Sequence, residues 1–289
     1  MTSTEFTANR DNFCYRHPDR QSFVLCQRCL RTICPECQTQ APVGVICPEC
    51  LKDQRKAESP AQRRARRQWR GSIAADARPL ATYAIMAVTT VISVLQLFPG
   101  IGPAITLNMR FAGLYLLPEY SFEPWRMLTA MFVHGGIWHL LLNMLALWMI
   151  GRSLEPMLGR GRYLALYLIG GFGGSVAVAC ISPDIATVGA SGAVFALMGA
   201  LLVIGRHIGA NITGIAVVLG LNLVVSFVFS GQIAWQAHVG GALVGALIGF
   251  IYARTQRREQ RTVQILLLAA VVLVLVVLAA VVPRVVLGV

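Results

Sequence analysis

Four polar side chains stand out in the apolar stretches of the chain: His139, Asn143, Ser191 and His238. A polar side chain inside a membrane helix is costly and is a functional candidate by default. Ser191 stands in Gly189-Ala190-Ser191-Gly192 and His238 in Ala237-His238-Val239-Gly240-Gly241. A serine hydroxyl in hydrogen-bond reach of a neutral imidazole is a nucleophile–base pair, the arrangement that forms and hydrolyses acyl-enzymes. His139 and Asn143 are spaced i, i+4, so they share one helix face, and both can donate hydrogen bonds to a developing oxyanion. No Asp or Glu falls in an apolar segment near them, so the sequence can build a dyad rather than a Ser-His-Asp triad. Bland readings exist for each motif. Small residues and serines are routine packing elements in membrane helices, and His and Asn also serve as glue between helices.

A second constellation is made of cysteine. The spacing is Cys14-x2-His17-x8-Cys26-x2-Cys29-x4-Cys34-x2-Cys37-x9-Cys47-x2-Cys50. Four pairs of soft ligands make two tetrahedral zinc sites. Cys29 and Cys34 are too close for comfortable sequential sites, which favours an interleaved pattern. Cys14, His17, Cys34 and Cys37 then hold one ion, and Cys26, Cys29, Cys47 and Cys50 the other. Four protein ligands leave no open position, so such ions are structural. On a reducing cytosolic face, CxxC pairs point to metal rather than to disulfides. Cys180, in an apolar segment, reads as a packing residue.

The elements that must position these groups follow from composition. The chain is 56% hydrophobic and 13% charged, against about 25% charged for a soluble chain. Its charges crowd into the first part and into short later clusters. Three regions emerge: a Cys-rich domain at 13–51, a basic linker at 52–78 containing Arg63-Arg64-Ala65-Arg66-Arg67, and a membrane region from 79 onward. Met1 to Asn12 is polar, unlike a secretory signal peptide. Apolar runs predict seven membrane helices, near 80–98, 136–151, 163–181, 188–206, 210–230, 233–253 and 264–285.

With the N-terminus inside, the inside connections carry Arg152, Arg160 and Arg162, then Arg206 and His207, then Arg254, Arg257, Arg258 and Arg261. The outside loops carry only Arg110 and Arg126, as the positive-inside rule expects, and the C-terminus falls outside. This accounts for the net charge of +12 without nucleic acid. The long 99–135 connection carries Phe111, Tyr115, Leu116, Tyr120, Phe122 and Trp125, which predicts partial burial at the membrane interface.

Topology puts the four polar residues near the outer face. Ser191 is expected about one turn into its helix, as is His238, which sets both roughly 6–8 Å below the outer helix ends at 1.5 Å per residue. His238, Gly241, Gly245 and Gly249 share one helix face, and Gly192, Ala196 and Ala200 could supply the opposing surface. Phe195, one turn from Ser191, is placed to pack on the imidazole.

At these residues the chain resembles a known family. Trp125-Arg126, His134-Gly-Gly-Ile-Trp-His139-Leu-Leu-Leu-Asn143, Gly189-Ala-Ser191-Gly192 and Ala237-His238-Val-Gly-Gly241-Ala-Leu-Val-Gly245 look like the ordered motif set of the rhomboid intramembrane proteases. The resemblance spans about 79–253. It implies an all-α polytopic membrane protein with a six-helix core, plus a seventh helix at 264–285, preceded by the small zinc-binding domain.

It also implies peptide-bond hydrolysis within or beside a substrate's membrane helix. Ser191 would be the nucleophile and His238 the base, with His139 and Asn143 in the oxyanion hole. Trp125 and Arg126 would belong to a membrane-embedded loop, and His134 and Glu155 would be structural. Many family members have Tyr where this chain has Phe195; a ring can still stack there, but without a phenolic hydroxyl. The cysteine pattern resembles a B-box-type zinc finger. The implied partners are transmembrane protein substrates, the lipid bilayer and a cytosolic protein for the zinc module. The implied location is a bacterial plasma membrane. Catalysis itself needs no cofactor. The rival reading is a non-catalytic scaffold that binds membrane helices and recruits cytosolic partners through the zinc module.

Overall fold

In a bilayer every backbone polar group must be satisfied within the protein, and helices do this locally. The structure, a computed structural model, describes residues 10–41, 44–57, 59–60 and 78–288. The arginine run at 63–67 lies outside them. The N-terminal module has two small antiparallel hairpins, β1 (Phe13–Cys14) with β2 (His17–Gln21) and β3 (Thr39–Gln40) with β4 (Val45–Ile46). The helix α1 (Pro48–Ala57) follows. Proline suits a first helical position, where the N–H has no helical acceptor. Helix α1 runs past residue 51, so the module extends into what the sequence suggested was linker.

All seven expected apolar helices are present: α2 (Leu80–Leu95), α5 (Ile137–Leu158), α6 (Arg160–Ile181), α7 (Ser191–His207), α8 (Thr213–Val228), α9 (Trp235–Arg254) and α10 (Arg261–Leu287). Among the described residues α5, α6, α9 and α10 are long and apolar enough to cross a membrane alone, while α2, α7 and α8 are shorter. The fold is that of an integral membrane protein. Helix α5 continues to Leu158, well past the expected end near 151. Arg152, expected in an inside connection, and Glu155 lie within the helix instead, and Glu155 is almost fully buried.

Helix α7 is the centre of the bundle. Most of it is buried, with α6 and α9 packed on it most extensively. The added helix α10 lies against α6. Its Leu275 and Ala279 join a cluster with Phe111, Leu116 and Val176. The connection from α2 to α5 is folded, with the short helices α3 (Gly102–Met109) and α4 (Arg126–Thr129).

Arg126 organises that connection. Its guanidinium is buried and donates to Glu123 at 2.5 Å and to the carbonyls of Leu107 at 2.5 Å and Arg110 at 3.3 Å. It also stacks over Tyr115. The expected partial burial holds: Phe111, Leu116 and Leu117 are buried, while Tyr120, Phe122 and Trp125 remain exposed.

The N-terminal module meets the membrane part at the far end of α7. The Gln54 side-chain amide donates to the Gly209 carbonyl at 3.0 Å. Gly209 lies just past the C-terminus of α7, and Ser191 begins that helix. Over its 17 residues the helix separates the two by roughly 25 Å at 1.5 Å per residue.

Glu155 shows how a buried charge can hold the bundle together. Its carboxylate accepts from the Ala81 N–H at 2.8 Å, the Thr82 N–H at 2.8 Å and the Thr82 hydroxyl at 2.7 Å. These are the open amides at the start of α2, where a negative charge also meets the positive end of the helix dipole. Hydrogen bonds to a charged group contribute about 1.5–3 kcal/mol each, and a buried partner left open adds a desolvation cost. Glu155→Gln places an NH2 against donors and should cost about 2–3 kcal/mol, read as a lower thermal midpoint in detergent. An unchanged midpoint would show that this cap does not anchor α2.

Candidate active site

The contact between α7 and α9 is so close that side chains cannot fit in it. A methyl group built on Gly241 would lie 2.0 Å from the Gly192 carbonyl oxygen, and one on Gly245 2.0 Å from that of Ala196. One on Gly249 would meet the Ala200 Cα at 2.8 Å. The glycine face of α9 therefore abuts the small residues of α7 that the sequence pattern singled out. His238 lies on that face one turn into α9, which begins at Trp235. Its ring is stacked on Phe195, with centroids 4.1 Å apart and planes 9° from parallel.

Ser191 sits differently from the expectation. It is the first residue of α7, not one turn in. The chain reaches it through Gly189 at φ 120°, a conformation that side chains disfavour. Gly189 donates to the Ala130 carbonyl at 2.8 Å, and Thr187 pairs with Phe111 in both directions at 2.7 and 3.0 Å. These anchors pull the approach out of helical geometry and start the helix at the serine. The first bond closing α7 runs from the Val194 N–H to the Ala190 carbonyl at 3.0 Å. The amides of Ser191, Gly192 and Ala193 stand ahead of it, as the first amides of a helix do. Ser191 therefore stands at the amino end of α7 because the helix starts late.

His139 lies over this turn. A methyl on Gly189 would come within 2.7 Å of its Cε1, so glycine is needed for space as well as for φ. The Gly135 N–H donates to His139 Nδ1 at 3.3 Å, which leaves the proton on Nε2, a donor on the Gly189 side. Asn143 gives one amide hydrogen to the His139 carbonyl at 2.9 Å and keeps a second for another acceptor.

His134 is buried and clamped. Its backbone exchanges hydrogen bonds with Gln96 at 2.9 and 3.2 Å, its Nδ1 meets the Ser93 hydroxyl at 3.2 Å, and its Nε2 receives the Ala190 N–H at a long 3.5 Å. It ties α2 to the turn before Ser191. Ser191, His238, His139 and Asn143 all line one cavity of about 690 Å³ that also reaches α8. The Nε2 of His238 makes no hydrogen bond among the described residues, and no hydrogen bond joins it to Ser191 there. One polar residue of the site was missed by the sequence reading. Ser226 on α8 lies 2.6 Å from His238 Nδ1. The signal that could have found it was its polarity in an apolar helix.

The cysteine clusters form as the spacing suggested. Cys14, His17, Cys34 and Cys37 bring one ligand atom each to within 4.8 Å of one another, as do Cys26, Cys29, Cys47 and Cys50. All eight cysteines are free thiols. The 3.8 Å between the sulfurs of Cys29 and Cys47 is far too long for a disulfide. It equals the edge, about 3.8 Å, of a tetrahedron with Zn–S near 2.3 Å. Burial opposes ionisation of Cys14, but backbone hydrogen bonds from Cys34, Arg16 and His17 outweigh it and hold the thiol down to about 6. Burial, then the neighbouring Cys14 and Cys34 sulfurs, push Cys37 up to about 11. Thiolates crowded this closely repel, and a divalent cation among them removes that penalty. The donor set fits two metal ions.

Residues 121–255 match the Rhomboid domain family model. Rhomboid protease GluP of Bacillus subtilis is 42% identical over 131 residues, covering 43% of this chain and 25% of that protein. RHOMBOID-like protein 5 of Arabidopsis thaliana is 35% identical over 161 residues, 52% of this chain and 51% of that protein. YdcA of Bacillus subtilis, which carries the family's name, is 33% identical over 152 residues, 51% of this chain and 75% of that protein. The chain spans a quarter of the first relative and about half of the second. The matched region runs from Ser121, just before α4, through α9 and contains the whole cavity constellation, and the chain belongs to the rhomboid family.

Proposed function

We propose that the protein is an intramembrane serine endopeptidase that hydrolyses a peptide bond of transmembrane protein substrates within or near their membrane helix. The observation that carries this reading is a single cavity combining four features. These are a serine at the open amino end of a helix, an imidazole held parallel to Phe195 with Nε2 unengaged, an Nε2–H donor on His139, and an uncommitted amide hydrogen on Asn143. Ser191 Oγ attacks the carbonyl carbon as His238 takes its proton. Backbone amides at the start of α7, with His139 and Asn143, receive the developing oxyanion. His238 then returns the proton to the leaving amine, and water hydrolyses the acyl-enzyme by the reverse logic.

The proposed division is a zinc module at 13–51 continued by α1, a catalytic core at 79–253 and α10 as an addition. The charge pattern supports a cytosolic N-terminus, with the cavity toward the outer face of the membrane; the proposed location is a bacterial plasma membrane. The Gln54 contact, at the end of α7 away from Ser191, agrees with that placement. Zinc is the proposed ion in both quartets. Its chemistry there is structural, holding short hairpins that are too small to fold on their own core.

The test of the enzymatic reading is cleavage of a model single-pass membrane substrate by the purified full chain in liposomes. Ser191→Ala and His238→Ala should each abolish turnover while the variants remain folded. His139→Ala and Asn143→Ala should each slow it by about 10²–10³, the typical worth of one oxyanion donor. Substantial turnover by folded Ser191→Ala would remove the dyad, and a wild type that binds but never cleaves would favour the scaffold.

Metal content provides a separate check. Elemental analysis of the reduced full chain should give about two zinc ions from the ligand count. Affinity should weaken as pH falls, because each thiol must lose its proton before it ligates. A metal-free fold, or affinity that rises on acidification, would contradict this.

A further inference from the structure

The hydrogen bonds around Ser226 determine which histidine nitrogen carries the proton. Ser226 is 2% exposed. Its Oγ lies 2.6 Å from the Asn222 carbonyl oxygen and 2.6 Å from His238 Nδ1. Each of these short contacts needs a hydrogen. The hydroxyl supplies one, a carbonyl supplies none, and so the ring must supply the other. Both contacts can be hydrogen bonds only if Ser226 donates to Asn222 and His238 Nδ1–H donates to Ser226. Nε2 is then left with its lone pair. The opposite tautomer would put two acceptors against one hydroxyl hydrogen and would place the other proton on Nε2, where it blocks base catalysis.

From this geometry we infer that Ser226 is a positioning residue of the catalytic site, fixing the tautomer and tilt of His238 so that Nε2 is the base for Ser191. It does the work that a buried carboxylate does in a three-residue site, with a neutral oxygen. That suits a membrane interior, where an unpaired carboxylate is costly. Phe195 fixes the plane of the ring by stacking, and Ser226 fixes its rotation within that plane. The proton balance is simple. The Ser191 hydroxyl proton passes to Nε2 as Oγ bonds to the carbonyl carbon. The imidazolium keeps its Nδ1–H on Ser226, and the Nε2 proton leaves with the amine. Ser226 gains and loses nothing.

Ser226 and Ile215 are the two residues of α8 that the structure buries. One of its few deep contacts is with the ring of His238.

This inference rests on the reading of His238 as the base, so the experiment must separate the two. The full chain in detergent is treated with a fluorophosphonate probe, and the second-order rate of adduct formation at Ser191 is measured alongside kcat and KM on a model substrate. Four forms are compared: wild type, Ser226→Ala, Ser226→Thr and Ser226→Val. Loss of the right tautomer costs about 10⁴ where a carboxylate sets it, and a neutral hydroxyl should be worth less. Ser226→Ala should lower both the labelling rate and kcat by about 10- to 100-fold, with KM little changed. Threonine and valine share one outline but only threonine keeps the oxygen, so Ser226→Thr should label faster than Ser226→Val. Labelling of Ser226→Ala within about twofold of wild type, or valine labelling as fast as threonine, overturns the role of Ser226 while leaving the dyad intact. A wild type that never labels at Ser191 overturns the dyad and this inference together.

Discussion

The site depends on the contact between α7 and α9, where two helix backbones meet with no side chain between them. Carbonyl oxygens of Gly192 and Ala196 occupy the space where Cβ atoms of residues 241 and 245 would stand. In lipid there is no hydrophobic drive to bring helices together, so small residues and close van der Waals contact must do it. An added methyl in a packed core costs about 1–3 kcal/mol. Here it would also push His238 and Phe195 apart, because one sits on each helix. Packing and chemistry are therefore set by the same glycines.

The rest of the structure holds the two ends of that contact in place. Toward the Ser191 end, Arg126 folds the connection between α2 and α5, while His134 and the Thr187–Phe111 pairing set the turn before Ser191. At the other end, Glu155 closes the start of α2. Arg126, His134 and Glu155 are buried polar side chains that meet backbone groups. That is how a membrane protein satisfies open helix ends without water. The metal module lies beyond Gly209, on the side away from the cavity, and contributes no residue to it.

Much of this was legible in the sequence because the membrane enforces simple rules. Apolar run length located all seven helices, the spacing of His238, Gly241, Gly245 and Gly249 identified the contact face, and cysteine spacing gave the interleaved quartets. Boundaries were less legible. Helix α7 begins at Ser191 because Gly189 has left-handed φ and three-dimensional anchors hold it, and none of that is periodic in sequence. Helix α5 runs on to Leu158 because the charge of Glu155 is met by amides distant in sequence. Ser226 offered only its polarity in an apolar helix. A serine in an apolar helix is ordinary until the fold sets His238 beside it.

The most direct measurement is mass-spectrometric mapping of the adduct formed by a fluorophosphonate probe on the full wild-type chain in detergent. The expected result is one covalent adduct, on Ser191, that is absent when His238 is replaced by alanine in a folded protein. No adduct, an adduct on another serine, or labelling of Ser191 that persists without His238 would contradict the account of an activated nucleophile at the start of α7.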